Sequence, residues 1–113
     1  MSLIRDLAQR QLDAYNSADL DAFVASYSQD VRVFEREKLI SEGKEAFRER
    51  YTALFTSFHF GASVEERLTE GDHCIDLERW WRIDPETKER TEGKILVCYT
   101  LHEGLIGLVR FLR

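Results

Sequence analysis

Residues 73–84 read HCIDLERWWRID, and the side on which each of these side chains falls decides the fold. Side chains alternate between the two faces of a strand. The odd set is His73, Ile75, Leu77, Arg79, Trp81 and Ile83, and the even set is Cys74, Asp76, Glu78, Trp80, Arg82 and Asp84. The odd set is the more apolar, which predicts that it faces the core. Period-2 patterning runs outward in both directions, from about residue 60 to the last residue of the sequence. It predicts strands over Phe60–Glu70, His73–Asp84, Glu89–Leu101 and Leu105–Arg113, joined by turns at Gly71-Asp72, at 84–88 around Pro85, and at Glu103-Gly104.

The turns fix the pairing. A two-residue turn at 71–72 sets Leu68 opposite Ile75 and Glu66 opposite Leu77, with Phe60, Ala62, Val64, Glu66 and Leu68 inward. For the next hairpin, a four-residue loop would set Lys94 opposite Arg79 and turn two cations inward. A five-residue loop, or a bulge, sets Arg79 opposite Ile95, Leu77 opposite Val97 and Ile75 opposite Tyr99, and buries Ile95, Val97, Tyr99 and Leu101. A slip of one residue flips a whole strand, so the second register is the expected one.

Upstream of residue 60 the period is helical. Ile4, Leu7, Ala8, Leu12 and Tyr15 form one stripe. Leu20, Phe23, Val24 and Tyr27 form a second after the break at Asn16–Asp19, where Ser17 or Asp19 can cap a helix. Phe47, Tyr51, Leu54, Phe55 and Phe58 form a third after Gly43. Val31–Glu35 reads as a short strand followed by a charged loop. Three helices followed by a strand meander predict one α+β domain over 1–113, the helices packed on one face of a curved, mostly antiparallel sheet.

On this reading the outer sheet face carries Trp80, Leu96, Cys98, Ile106 and Leu108. Apolar groups on both faces need cover on both. A second copy of the chain, sheet against sheet, is the expected cover, which makes a homodimer the expected assembly.

Composition excludes several classes. Sixteen Lys and Arg against 21 Asp and Glu give a net charge of −5 with no basic run, so neither nucleic acid nor an anionic membrane is an expected partner. At 43% hydrophobic residues the chain is too apolar for disorder, yet no apolar stretch approaches a membrane span. The first residues form no apolar signal core, and two cysteines without a CxxC spacing suit a reducing, cytoplasmic setting. The three histidines lack an HxH or HxxxH spacing, so no metal site is expected, and no nucleotide-binding glycine motif calls for a cofactor.

The stretch Leu12–Phe23 (LDAYNSADLDAF), then Tyr27–Val31, Gly43–Phe47 and the last strand near Val109–Phe111, resembles the nuclear transport factor 2-like superfamily. Its SnoaL-like and ketosteroid-isomerase-like branch is the nearest in flavour, and the likeness runs through the whole chain. The resemblance implies a cone-shaped half barrel, a cystatin-like α+β roll, with a pocket inside and a dimer on the sheet's back. It also implies a small, mostly apolar ligand. The activity it implies is that of a cofactor-free isomerase or lyase, the alternative being a non-catalytic dimerisation or small-ligand-binding module. Carried over position by position, the isomerase's carboxylate base falls on Glu35, its oxyanion-binding tyrosine on Gln11 and its protonated aspartic acid on Val97.

Glu35 is therefore the candidate base, since desolvation at a pocket mouth raises a carboxyl toward useful pKa values. The plain alternative is a solvated glutamate that opens the charged loop. Arg79 and Glu66, expected inward, either form a structural ion pair, or Arg79 binds a substrate carboxylate or enolate or positions Glu35. Gln11 either faces the pocket or satisfies a buried backbone group. Tyr15, Tyr51, Phe55, Trp81 and Tyr99 either line the pocket or are simply core.

Overall fold

The computed structural model describes residues 2–113. Helix α1 (Leu3–Asn16) starts at Ser2, whose hydroxyl accepts the Arg5 amide at 3.3 Å, and buries the stripe Ile4, Leu7, Ala8 and Leu12. Asp19, not Ser17, caps α2 (Leu20–Ala25), accepting the Ala22 amide at 3.1 Å. The Asn16 side chain donates to the Ala62 carbonyl at 2.9 Å and accepts the Ala62 amide at 2.8 Å. It thereby docks the end of α1 onto a sheet edge. Helix α3 (Lys44–Ser57) follows Gly43, whose φ of +91° suits glycine and lets its amide reach the Val31 carbonyl at 2.7 Å.

The strands are β1 (Tyr27–Glu35), β2 (Lys38–Glu42), β3 (His59–Glu70), β4 (His73–Ile83), β5 (Arg90–His102) and β6 (Leu105–Leu112). They form one sheet in the order β2-β1-β6-β5-β4-β3, antiparallel except for the β1–β6 pair. The α+β class, with helices on one side of a curved, open sheet, is as expected. The charged stretch after Glu35 is not a loop throughout. Arg36, at φ +55°, begins a tight turn, and Lys38 pairs back on Glu35 to start β2. No helix among the described residues is long and apolar enough to cross a membrane.

The expected face of β4 is reversed. Its even residues point to the helices: Cys74 is 0% and Asp76 1% exposed, while Arg79 is exposed on the back. The hairpin adopts the four-residue loop, with Arg79 opposite Lys94. The two cations turn outward, not inward, and the Glu65 carboxylate binds both, at 3.1 Å from Arg79 and 2.9 Å from Lys94. A bulge between Val64 and Glu66 makes this possible. Before it, Phe60 and Ala62 face inward as read from the sequence. After it, Glu66 and Leu68 fall on the outer face and Arg67 turns in. Neither Glu66 nor Arg79 therefore projects into the core, and the two are not an ion pair.

The tryptophans exchange roles for the same reason. Trp81 lies on the back, its ring over Gly61, where an added Cβ would sit 2.7 Å from the indole. Trp80 lies inside, over Gly93. Of the residues expected on the outer face, Leu96, Cys98 and Leu108 are there. Trp80 is not, and neither is Ile106, which is fully buried because the β5–β6 register shifts between Thr100 and Leu101 and skips Gly107. Ile95, Val97 and Tyr99 are buried as expected.

Candidate functional site

A cavity of about 490 Å³ opens between the helices and the inner sheet face, within the range of small-molecule sites. Helices α1 and α3 contribute Gln11, Tyr15, Arg50 and Tyr51; Phe23 comes from α2 and Tyr27 from the start of β1. The sheet contributes Glu78, Trp80 and Arg82 from β4, Ile95 and Tyr99 from β5, and Val109, Phe111 and Arg113 from the end of the chain. The rings stack into one wall: Tyr51 lies 4.8 Å from Phe23 and 4.8 Å from Phe47 between centroids. Phe55 stands against Tyr15 and Phe60, at 5.8 and 4.7 Å.

Gln11 organises the deep end. Its amide nitrogen donates to the Ala8 carbonyl at 2.9 Å and to the Tyr99 hydroxyl at 3.1 Å, and its amide oxygen accepts the Tyr27 hydroxyl at 3.0 Å. A carbonyl can only accept, so Ala8 fixes which end of the amide is nitrogen. The Tyr27 proton is thereby used. Tyr99 accepts from Gln11, which leaves its own O–H free to donate to something in the cavity. Burial pushes both phenols up, so both stay protonated donors.

Glu78 is the carboxyl of this cavity. Among the described residues no Lys, Arg or His nitrogen lies within 4.0 Å of it. Burial pushes it up to about 7, and the Asp76 charge two residues away on the same face acts in the same direction. Asp76 itself is held by Arg67 through two contacts, at 2.7 and 2.9 Å, and Gln9 accepts a further Arg67 proton at 2.8 Å. Cys74, packed beside Asp76, has its thiol pushed up to about 12 by burial, which makes it inert. It lies in the core rather than on the outer face.

The residues singled out from the sequence therefore separate. Gln11, Tyr15, Tyr51 and Tyr99 meet in the cavity. Val97, at 1% exposure, is core beside it, and Phe55 backs its aromatic wall. Glu35 sits outside the lining, its side chain 40% exposed and paired with Arg113 at 2.8 Å. Arg79, Glu66 and Trp81 are on the other side of the sheet. Glu78, Trp80 and Arg82 were missed. The signal that could have found them is the Glu65-Glu66 pair, which offers an outward partner for Arg79 and Lys94 once a bulge is allowed. Among the described residues no cluster of His, Cys, Asp and Glu could hold a metal ion.

The fold recurs widely. An uncharacterized cystatin-fold protein from Novosphingobium aromaticivorans superposes with a TM-score of 0.89 at 21% identity, covering 100% of this chain and 99% of that one. A Δ5-3-ketosteroid isomerase from Mycobacterium sp. superposes with a TM-score of 0.87 at 15% identity, covering 98% and 92%. A Mycobacterium tuberculosis protein in complex with estradiol-17beta-hemisuccinate gives 0.87 at 16% identity, covering 98% and 93%. At these identities the likeness is one of fold. No curated protein matches the sequence. The model of the SnoaL-like domain matches residues 8–108, and the chain belongs to the SnoaL-like domain family.

Proposed function

We propose that the cavity binds a small, mostly apolar carbonyl compound and that Glu78 moves a proton at the carbon next to the carbonyl. The observation that carries this reading is a carboxyl without a cationic partner in a cavity walled by aromatic rings, beside a phenol with a free proton. A base whose pKa stands near 7 is half ionised at neutral pH and still strong enough to accept a carbon-bound proton. The C–H electron pair moves into the carbonyl as the proton passes to the Glu78 carboxylate. The oxygen becomes an enolate, and the Tyr99 O–H donates to it. The proton returns from Glu78 to the same or another carbon, so no cofactor is consumed. Glu35, tied to Arg113 at the rim, has no part in this step.

The test is α-proton exchange of 2-tetralone in deuterated buffer, followed by proton NMR. Exchange faster than in buffer is expected. Glu78→Gln should remove it, and Tyr99→Phe should slow it by about 10²–10³. Exchange that survives Glu78→Gln would overturn the assignment of the base. Binding without exchange would favour the alternative, a non-catalytic ligand-binding module, which the same cavity also supports.

A further inference from the structure

The proposed reaction uses the deep end of the cavity and leaves its mouth unexplained. Three arginines line it: Arg50 from α3, Arg82 from β4 and Arg113 after β6. Arg113 is neutralised by Glu35 at 2.8 Å. Among the described residues, Arg50 and Arg82 have no carboxylate within 4.0 Å.

The two free cations share one lining: Arg50 precedes Tyr51 on α3, and Arg50, Tyr51 and Arg82 all border the same cavity. In keeping with this, burial pushes the Tyr51 phenol up to about 12, the charges of Arg50 and Arg82 oppose that rise, and Glu78 adds to it. Arg82 also stands over the Trp80 ring, 5.4 Å from its centroid, which fixes its head against a cavity wall. Two forked donors and a phenol in the lining of one cavity fit a planar anion. Glu78, the one carboxyl of the cavity, repels an anion when ionised, so the guanidinium side of the lining is where an anion is tolerated.

We propose that the ligand is an amphipathic acid whose apolar body fills the cavity and whose carboxylate sits at the mouth between Arg50 and Arg82, beside Tyr51. The proposal rests on the cavity being a ligand site, and it adds the charge and the orientation of the ligand. Neither arginine takes part in the proton transfer assigned to Glu78.

The probes are 2-naphthylacetate and 2-naphthylacetamide, which share a body and differ in charge, titrated by calorimetry at low salt. The acetate is expected to bind about tenfold more tightly than the amide, a preference that falls as salt is added. Arg50→Gln and Arg82→Gln together should abolish the preference and leave the amide's affinity within about twofold. Arg50→Gln alone, on an exposed helix position, should remove part of it and guards against misfolding of the double variant. Equal affinity of the two probes for the unmodified protein, or a preference that survives the double variant, overturns the anion seat while the cavity reading stands. Failure of both probes to bind overturns the cavity reading and the anion seat with it.

Discussion

Replacing Glu78 by glutamine should stabilise the protein at neutral and alkaline pH and leave it unchanged in acid. The carboxyl, raised from 4.5 to about 7, holds its proton more tightly in the folded chain than in the unfolded one. Below about pH 4.5 both states carry the proton, and glutamate is no worse than glutamine. As pH rises from 4.5 to 7 the unfolded carboxyl ionises first, and folding stability is lost. Above 7 both are ionised and the deficit is constant. At 1.36 kcal/mol for each tenfold in proton affinity, the ceiling is about 3 kcal/mol. Glu78 is not fully buried, so about 2 kcal/mol is the expected gain of Glu78→Gln at pH 8, or roughly 8–10 °C in melting temperature. Urea unfolding followed by circular dichroism at pH 4, 6 and 8 measures it. A difference that stays flat with pH would mean that Glu78 titrates as an ordinary surface carboxylate, and the proton-transfer reading would lose its base. A glutamine variant that is weaker at every pH would point to a cationic partner for the carboxylate.

Two further outcomes follow from the same sheet. Asp76→Asn should cost about 3–5 kcal/mol, because it leaves Arg67, only 9% exposed in its side chain, without its counter-charge. It should also move the Glu78 titration to lower pH, readable by carbon NMR of labelled glutamate, and an Asp76→Asn variant within 1 kcal/mol of the parent would refute the buried-pair account. On the back of the sheet Ile75, Leu96 and Leu112 stay about 40% exposed, at 39%, 41% and 39%, beside charges of both signs in Glu65, Arg79 and Lys94. A face of that kind complements its own two-fold image, so a dimer is the expected solution state and Leu96→Glu should give monomers by sedimentation velocity; a monomeric parent across the micromolar range would sink this expectation.

The fold was legible because its signals are redundant. The stripe from Ile4 to Leu12, the cap at Asp19, the glycine before α3 and the turns at Gly71-Asp72 and Glu103-Gly104 all point to the same element order. The site was less legible, and the reason is physical. Hydrophobicity locates a packed face, whereas a face that lines a cavity needs polar groups. On β5 the rule works, since Ile95, Val97 and Tyr99 pack against helices and their neighbours face out. On β4 both parities carry one tryptophan, one arginine and at least one apolar or acidic residue, so the less apolar set was the inner one. Asp76 is tolerated there because Arg67 reaches it, and Arg67 reaches it only because a single extra residue at Glu65 turns β3 over. The skip at Gly107 moves Ile106 inward by the same means.

A bulge changes no composition and little periodicity, yet it moves every side chain beyond it to the opposite face. Gln11, Tyr15, Tyr51 and Tyr99, which lie on helices or on a strand half without a bulge, line the cavity, while Glu35 does not. Glu35 is the position on which the resemblance places the base, at a strand end. A strand end adjoining a tight turn puts a side chain at the rim, where Arg113 is free to pair with it. A carboxyl with a perturbed proton affinity needs the middle of a strand that faces a hollow. In this chain Glu78 meets that condition, and identifying it depends on the parity of β4 rather than on any motif.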